Sequence, residues 1–165
     1  MKFSELVRGA SLRGAPTVFT PESSLRLGRA VGTLLRRRSD NRGPVVVARG
    51  GEGAELTARD GLVQGLVLSG FDVVDLGRAE SDLFTFALRS EHATGGALVG
   101  TTGESVGVML FAGPRPLVGE TLVELARVAE DGGFCAGAGT LQVRDLRGAF
   151  RLSASVTDGD TVEEE

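Results

Sequence analysis

Pro44-Val45-Val46-Val47-Ala48, followed by Arg49-Gly50-Gly51-Glu52-Gly53, is an apolar run that stops in a glycine-bearing loop. A short β-branched stretch bounded by turn formers reads as a buried strand. After the loop, Leu62, Val63, Leu66 and Val67 recur at helical spacing within about Ala54 to Ser69, and Gly70 stops the run. Strand, glycine loop, helix is also the generic layout of an anion cradle, because a helix N-terminus presents free N–H groups. Here GxGxxG fails after Gly51-Glu52-Gly53 and no GKS or GKT follows, so the layout alone does not specify a nucleotide.

The same alternation extends in both directions. Upstream, Thr20-Pro21-Glu22 combines a capping hydroxyl, a first-turn proline and an acid, and predicts a helix to about Arg38 with Leu27, Val31, Leu34 and Leu35 on its apolar face. Arg36-Arg37-Arg38 then falls in the last turn, where cations complement the helix dipole; without interleaved aromatics it reads as a helix end rather than a nucleic-acid patch. Downstream come a strand over Asp72–Leu76, a helix over about Ser81 to Glu91 burying Leu83, Phe86 and Ala87, and strands over Gly95–Val99 and Val106–Phe111 joined through Thr102-Gly103-Glu104. A last helix, about Gly119 to Asp131, aligns Val118, Leu122, Leu125 and Ala129. The expectation is an α/β fold: a single three-layer domain with a mixed, mostly parallel sheet and helices on both faces, over residues 1–152. Gly28/Gly32 and Gly61/Gly65 sit one turn apart inside helices, which costs about 1 kcal/mol each relative to alanine. Something packs closely there: helix against sheet is the expectation, a dimer partner the alternative.

Composition narrows the chemistry. The 165 residues include 25 glycines but one Cys (Cys135), one His (His92), one Lys (Lys2) and no Trp or Tyr. No Cys/His cluster and no HExxH pair exists, which argues against a zinc site. A lone cysteine makes no intramolecular disulfide and suits a reducing compartment. Met1-Lys2-Phe3-Ser4-Glu5 lacks an apolar signal region and no apolar run reaches bilayer length, so the expected setting is cytoplasmic, away from membranes. The net charge of −4 depends on Asp158, Asp160, Glu163, Glu164 and Glu165; without these five the body carries about +1, no field for nucleic acid. Residues 153–165 read as an acidic, solvated tail, and Asp158-Gly159-Asp160 as part of it rather than as a metal loop.

Six segments in order carry a likeness: Leu12-Arg13-Gly14, Thr20-Pro21-Glu22, Leu27-Gly28-Arg29-Ala30, Val45-Val46-Val47-Ala48-Arg49, Gly70-Phe71-Asp72-Val73-Val74-Asp75-Leu76-Gly77 and Gly95-Gly96-Ala97-Leu98-Val99. The series resembles the N-terminal domain of the α-D-phosphohexomutases, the phosphoglucomutase/phosphomannomutase family, from about Leu6 to Phe150. The resemblance implies phosphoryl transfer on a hexose phosphate through a phosphoserine in a T-A-S-H-N-P loop, followed by N-G-x-K. The matching segment here is Gly100-Thr101-Thr102-Gly103-Glu104-Ser105, with Thr102 at the serine position and Met109 at the lysine. Of the family's G-R-D-x-R loop the first arginine is kept as Arg49, and Glu52 replaces the second; Ser81-Asp82 replaces T-P. The metal-binding D-G-D-x-D-R loop of the family's second domain has no counterpart in the sequence.

A phosphoryl site needs cations and donors around a near-dianion, and a carboxylate there is repulsive. The loop offers Glu104 and Glu52 instead, and nothing local activates the Thr102 hydroxyl. The leading expectation is therefore a catalytically degenerate domain kept as a binding or assembly module, self-associating and without a cofactor. One alternative is a subunit of a split mutase with Thr102 as phosphoacceptor, which would use Mg2+ from elsewhere. The other is a sensor of a sugar phosphate or other small anion. Candidate anion ligands are Arg13, Arg49, Gly50, Gly51, Thr101 and Thr102, with no metal ligand and no residue assigned a catalytic role. His92, Cys135 and the Gly139–Leu146 connection are assigned a dipole-complementing or surface role, a packing role and either a folded-back or an exchanged position, respectively.

Overall fold

A computed structural model describes residues 2–154. The chain runs through β1 (Val7–Arg8), β2 (Ser11–Gly14), α1 (Pro21–Arg38), β3 (Val45–Arg49), α2 (Glu55–Leu68), β4 (Val73–Arg78) and α3 (Ser81–Ser90). It continues through β5 (Gly95–Thr102), β6 (Ser105–Ala112), β7 (Arg115–Pro116), α4 (Glu120–Asp131) and β8 (Leu141–Val143), and residues 147–154 are helical. One sheet holds all the described strands in the order β1-β2-β6-β5-β3-β4-β8, with β7 beside β6. Successive strand residues point to opposite faces, so β3 feeds two cores at once. Val45 and Val47 pack with Leu27, Leu34, Leu62 and Leu122 under α1, α2 and α4. Val46 and Ala48 pack with Phe84, Leu88 and Leu146 under α3 and the chain's last described helix. This is the expected three-layer α/β domain with a mixed sheet. The parallel pairings, however, are confined to β5-β3-β4-β8, and every pairing of β1, β2, β6 and β7 is antiparallel. Parallel pairings therefore do not predominate, because the short strands β1, β2 and β7, which no apolar run marks, add antiparallel pairings to that of the β5–β6 hairpin.

The head of α1 is built as its residues dictate. Thr20 Oγ1 accepts from Ser23 N–H at 3.0 Å, Ser23 Oγ accepts from Thr20 N–H at 2.9 Å, and Pro21 begins the helix. Two of the three arginines in its last turn are engaged within the domain. Arg36 donates to Gly70 O at 2.8 Å while stacking on Phe71, and Arg38 pairs with Glu124. Cys135 is half-buried, and its N–H donates to Thr33 Oγ1 at 3.0 Å.

Three expectations need correction. The helix glycines face neither the sheet nor a second molecule: they bring α1 and α2 together. A Cβ on Gly28 would lie 2.5 Å from Leu62 O, one on Gly61 2.2 Å from Ser24 Cβ, and one on Gly65 2.4 Å from Leu25 O. In α3 Leu83 and Ala87 are buried as expected, but Phe84 and Leu88 join them in place of Phe86. Phe84 fills the space over Gly96 and meets the Phe111 ring at 5.1 Å between centroids, which rotates the helix and leaves Phe86 half-buried against Phe150. Val118 precedes α4 and is 53% exposed, outside the core. The connection after α4 folds back: Gly137 and Gly139 N–H groups donate to Leu68 O and Val67 O, each at 2.9 Å, and β8 adds in parallel to β4. Asp158-Gly159-Asp160 and the rest of the acidic tail beyond residue 154 lie outside the described residues. Among the described residues, no helix is long and apolar enough to cross a membrane.

Candidate functional site

The C-terminal ends of β3 and β5 form the frame of the site. Gly50 N–H donates to Val99 O at 2.8 Å, and Ala79 N–H donates to Arg49 O at 3.0 Å, so the exit of β3 is bonded on both sides. The loop then reaches Glu55 at the head of α2. Glu55 is 2% exposed. Its carboxylate accepts from the Thr101 hydroxyl across the sheet end and from Gly53 N–H at 2.9 Å. A Cβ on Gly51 would meet Glu55 Oε1 at 2.6 Å, so the acid fills the inside of the loop. The Thr101 hydroxyl bond holds the Glu55 carboxyl below its ordinary 4.5; burial opposes this, and the Gly53 N–H and the Arg49 charge add to the lowering. A carboxylate in the first turn also gains from the helix dipole.

Arg49 belongs to this cluster, but its guanidinium turns inward. Nη1 donates to Gly51 O at 2.7 Å and lies 3.9 Å from Glu52, while Nε is buried without a partner among the described residues. Just behind, Arg59 on α2 pairs with buried Asp75 on β4, and Asp75 also accepts from Gly77 N–H at 2.8 Å. That pair locks the head of α2 to the sheet.

Thr102 and Ser105 close the β5–β6 hairpin around Gly103-Glu104. Gly103 has φ of +61° and Glu104 does not have positive φ, as a hairpin turn with glycine in its first central position requires. The candidate residues therefore divide. Arg49, Gly51 and Thr101 gather with Glu55 on the α2 side. Strand alternation sends Thr102 to the opposite face. Arg13 lies on that face too: it is paired with Gly107, and its guanidinium lies where a Gly107 Cβ would come within 3.0 Å. Arg13 and Arg49 do not converge on one anion.

The acids expected to matter were Glu52 and Glu104, and both are exposed. Of the acids at the loop and the hairpin, Glu55 is the one the fold buries. An acid opening a helix is ordinarily a solvated dipole partner; its signal in the sequence was its place directly after the glycine loop. His92 lies at the far end of β5 from the hairpin, exposed, with φ of +49°, and it presents its carbonyl to Asn41. Met109 is half-buried on β6. No group of three or more His, Cys, Asp or Glu side chains gathers as metal ligands among the described residues.

Residues 4–102 match the family model described as phosphoglucomutase/phosphomannomutase, alpha/beta/alpha domain I. The chain belongs to that family. It is 39% identical over 80 residues to a phosphoglucomutase/phosphomannomutase of Thermococcus kodakarensis, covering 48% of this chain and 18% of that protein. It is 30% identical over 119 residues to a "Probable phosphoglucosamine mutase" of Thermococcus gammatolerans, covering 70% of this chain and 25% of the relative. The chain thus spans a quarter or less of the length of these curated relatives. In fold it superposes on a phosphoglucomutase/phosphomannomutase family protein of Burkholderia thailandensis with a TM-score of 0.81 at 21% identity, over 91% of this chain and 35% of that one. The family match takes in β1 through β5, including Arg13, Arg49, Glu55, Thr101 and Thr102, and ends at the hairpin turn.

Proposed function

We propose that this phosphohexomutase domain I no longer transfers phosphoryl groups and serves as a self-associating binding or assembly module. The observation that carries the reading is the Glu55 cluster. A buried carboxylate takes the Thr101 hydroxyl and the Gly53 N–H, while Arg49 turns onto Gly51 O. Those three donors are already used and a fixed negative charge sits among them, while Arg13 and Thr102 lie on the other face of the sheet. At the family's serine position Thr102 has no histidine or lysine beside it in sequence to take up its proton.

The test is phosphorylation itself. Purified chain incubated with a hexose 1,6-bisphosphate and Mg2+ is expected to gain no phosphoryl group by intact-protein mass spectrometry and to show no mutase turnover. Turnover, or a phosphate on Thr102 that disappears in Thr102→Ala, would falsify the reading and favour the split enzyme.

Self-association is proposed from the β8 edge. No described strand lies beyond β8, and Leu141 and Val143 there are 50% and 75% exposed. An open edge with apolar side chains is a template for another strand. Light scattering is expected to give a dimer or larger, and Leu141→Lys with Val143→Lys to shift it toward monomer. A strictly monomeric wild-type mass at high concentration counts against it.

A further inference from the structure

The two ends of the sheet are finished differently. At the β1 end Arg8 is exposed, and its Nη1 donates to Glu5 O and Val7 O, each at 2.8 Å, so a charged side chain already occupies backbone carbonyls there. Charge on an edge strand discourages a second chain from pairing with it. At the other end β8 is Leu141-Gln142-Val143, exposed throughout, with no charge, no proline and no shift of register.

Pairing with β4 fixes which backbone groups of β8 stay open. Val73 N–H donates to Thr140 O at 2.7 Å and Arg144 N–H donates to Asp75 O at 2.9 Å, so Thr140, Gln142 and Arg144 turn their backbone groups toward β4. Leu141 and Val143 turn theirs the other way, where no described residue meets them. Their side chains share the face of Val73 and Asp75, on the side of α2, while Gln142 shares the face of Val74, on the side of α3.

Two outward residues flanking one inward residue are self-complementary. About a two-fold axis through Gln142, Leu141 exchanges both backbone hydrogen bonds with the partner's Val143, and Val143 with the partner's Leu141. Every open N–H and C=O of β8 is then paired, and the apolar side chains of both copies meet on one face. Charge agrees with this register. Thr140 N–H and hydroxyl donate to Asp72 Oδ1 at 3.0 and 2.8 Å, and Arg144 of the partner subunit stands opposite Thr140, so unlike charges meet across the axis. Pairing of β8 with β1 of another copy would instead be head-to-tail and would grow without closing, and Arg8 stands against it.

Building on the self-association read from this edge, we propose that the assembly is a closed dimer in which β8 pairs antiparallel with β8 of a second copy, Gln142 facing Gln142 on the two-fold axis.

Single-position cross-linking tests the register, in a Cys135→Ser background where the introduced thiol is the only one. Gln142 occupies a non-hydrogen-bonded site, at which facing Cα atoms stand about 4.5 Å apart, within disulfide reach. The two Leu141 residues are offset by about 7 Å along the strands in addition to the strand spacing, beyond that reach. Mild oxidation is expected to link Gln142→Cys chains into a covalent dimer in about tenfold or greater yield than Leu141→Cys chains. Both positions are exposed, and a cooperative thermal transition shows that each variant folds. Light scattering of the wild-type chain is expected to give twice the 17.1 kDa chain mass, without growth at higher concentration. A wild-type dimer in which Gln142→Cys links no better than Leu141→Cys overturns the register and leaves self-association standing. Assemblies that keep growing overturn the closure in the same way, and a strictly monomeric wild-type chain overturns both readings.

Discussion

Gly65→Val is expected to lower the unfolding free energy by about 3 kcal/mol or more. Extra methyl groups in a packed interior cost about 1–3 kcal/mol when neighbouring side chains give way. Here the neighbours are backbone: a Cβ on Gly65 would lie 2.4 Å from Leu25 O and 2.5 Å from Arg29 N, both inside α1. Removing a helix-interior glycine returns less than about 1 kcal/mol, so the clash dominates. The helices must part, and Leu27, Leu62 and Leu66 lose packing together. Gly53→Ala is the control, since no heavy atom lies within 4 Å of its Cβ position. It is expected to change stability by less than about 0.5 kcal/mol. Urea unfolding with an unchanged slope checks both. A Gly65→Val protein within about 1 kcal/mol of wild type would show that the helices accommodate a side chain.

Glu55→Ala is expected to cost about 1–2 kcal/mol, because the Thr101 hydroxyl and the Gly53 N–H lose a charged acceptor. Glu55→Gln keeps an acceptor without the charge and is expected to cost less. The pH dependence separates charge from packing. The folded-state pKa of Glu55 is lowered, so its carboxylate contributes stability that is fully present above the ordinary value of 4.5 and is lost as pH falls through the folded value. Wild type is therefore expected to lose its advantage over Glu55→Gln on acidification below about pH 4.5, with the difference constant near neutrality. Urea midpoints of the two proteins that stay equally spaced down to the acid transition would remove the charged hydrogen bond from the account.

What the sequence made legible was whatever a local rule governs. Thr20-Pro21 marks a helix start because capping depends on a few adjacent groups, and the hairpin at Gly103 follows from two apolar strands meeting at a glycine turn. The burial of Phe84 in place of Phe86 was not legible, since it depends on Gly96 leaving room on a strand that follows α3. β8 is three exposed residues with no periodicity of their own, and it becomes a strand only because β4 offers an edge. At the site, the residue types near the loop were readable but the sides of the sheet were not assigned. Alternation along β2 and β5 is what parts Arg13 and Thr102 from Arg49 and Thr101. Glu55 was hidden because helix-opening acids are common on surfaces, and only the Thr101 hydroxyl across the sheet makes this one an interior group.

The glycine contact between α1 and α2 reaches as far as the loop. Side chains in an ordinary helix interface act as bearings: they swap rotamers and let one helix slide on its neighbour. Backbone set directly on backbone has no such play, and the Arg59–Asp75 pair holds the same helix from below. Glu55, at the tip of α2, is therefore clamped in place beside Thr101. To reopen the loop toward an anion, the carboxylate itself must be exchanged, because the helix carrying it has nowhere to retreat.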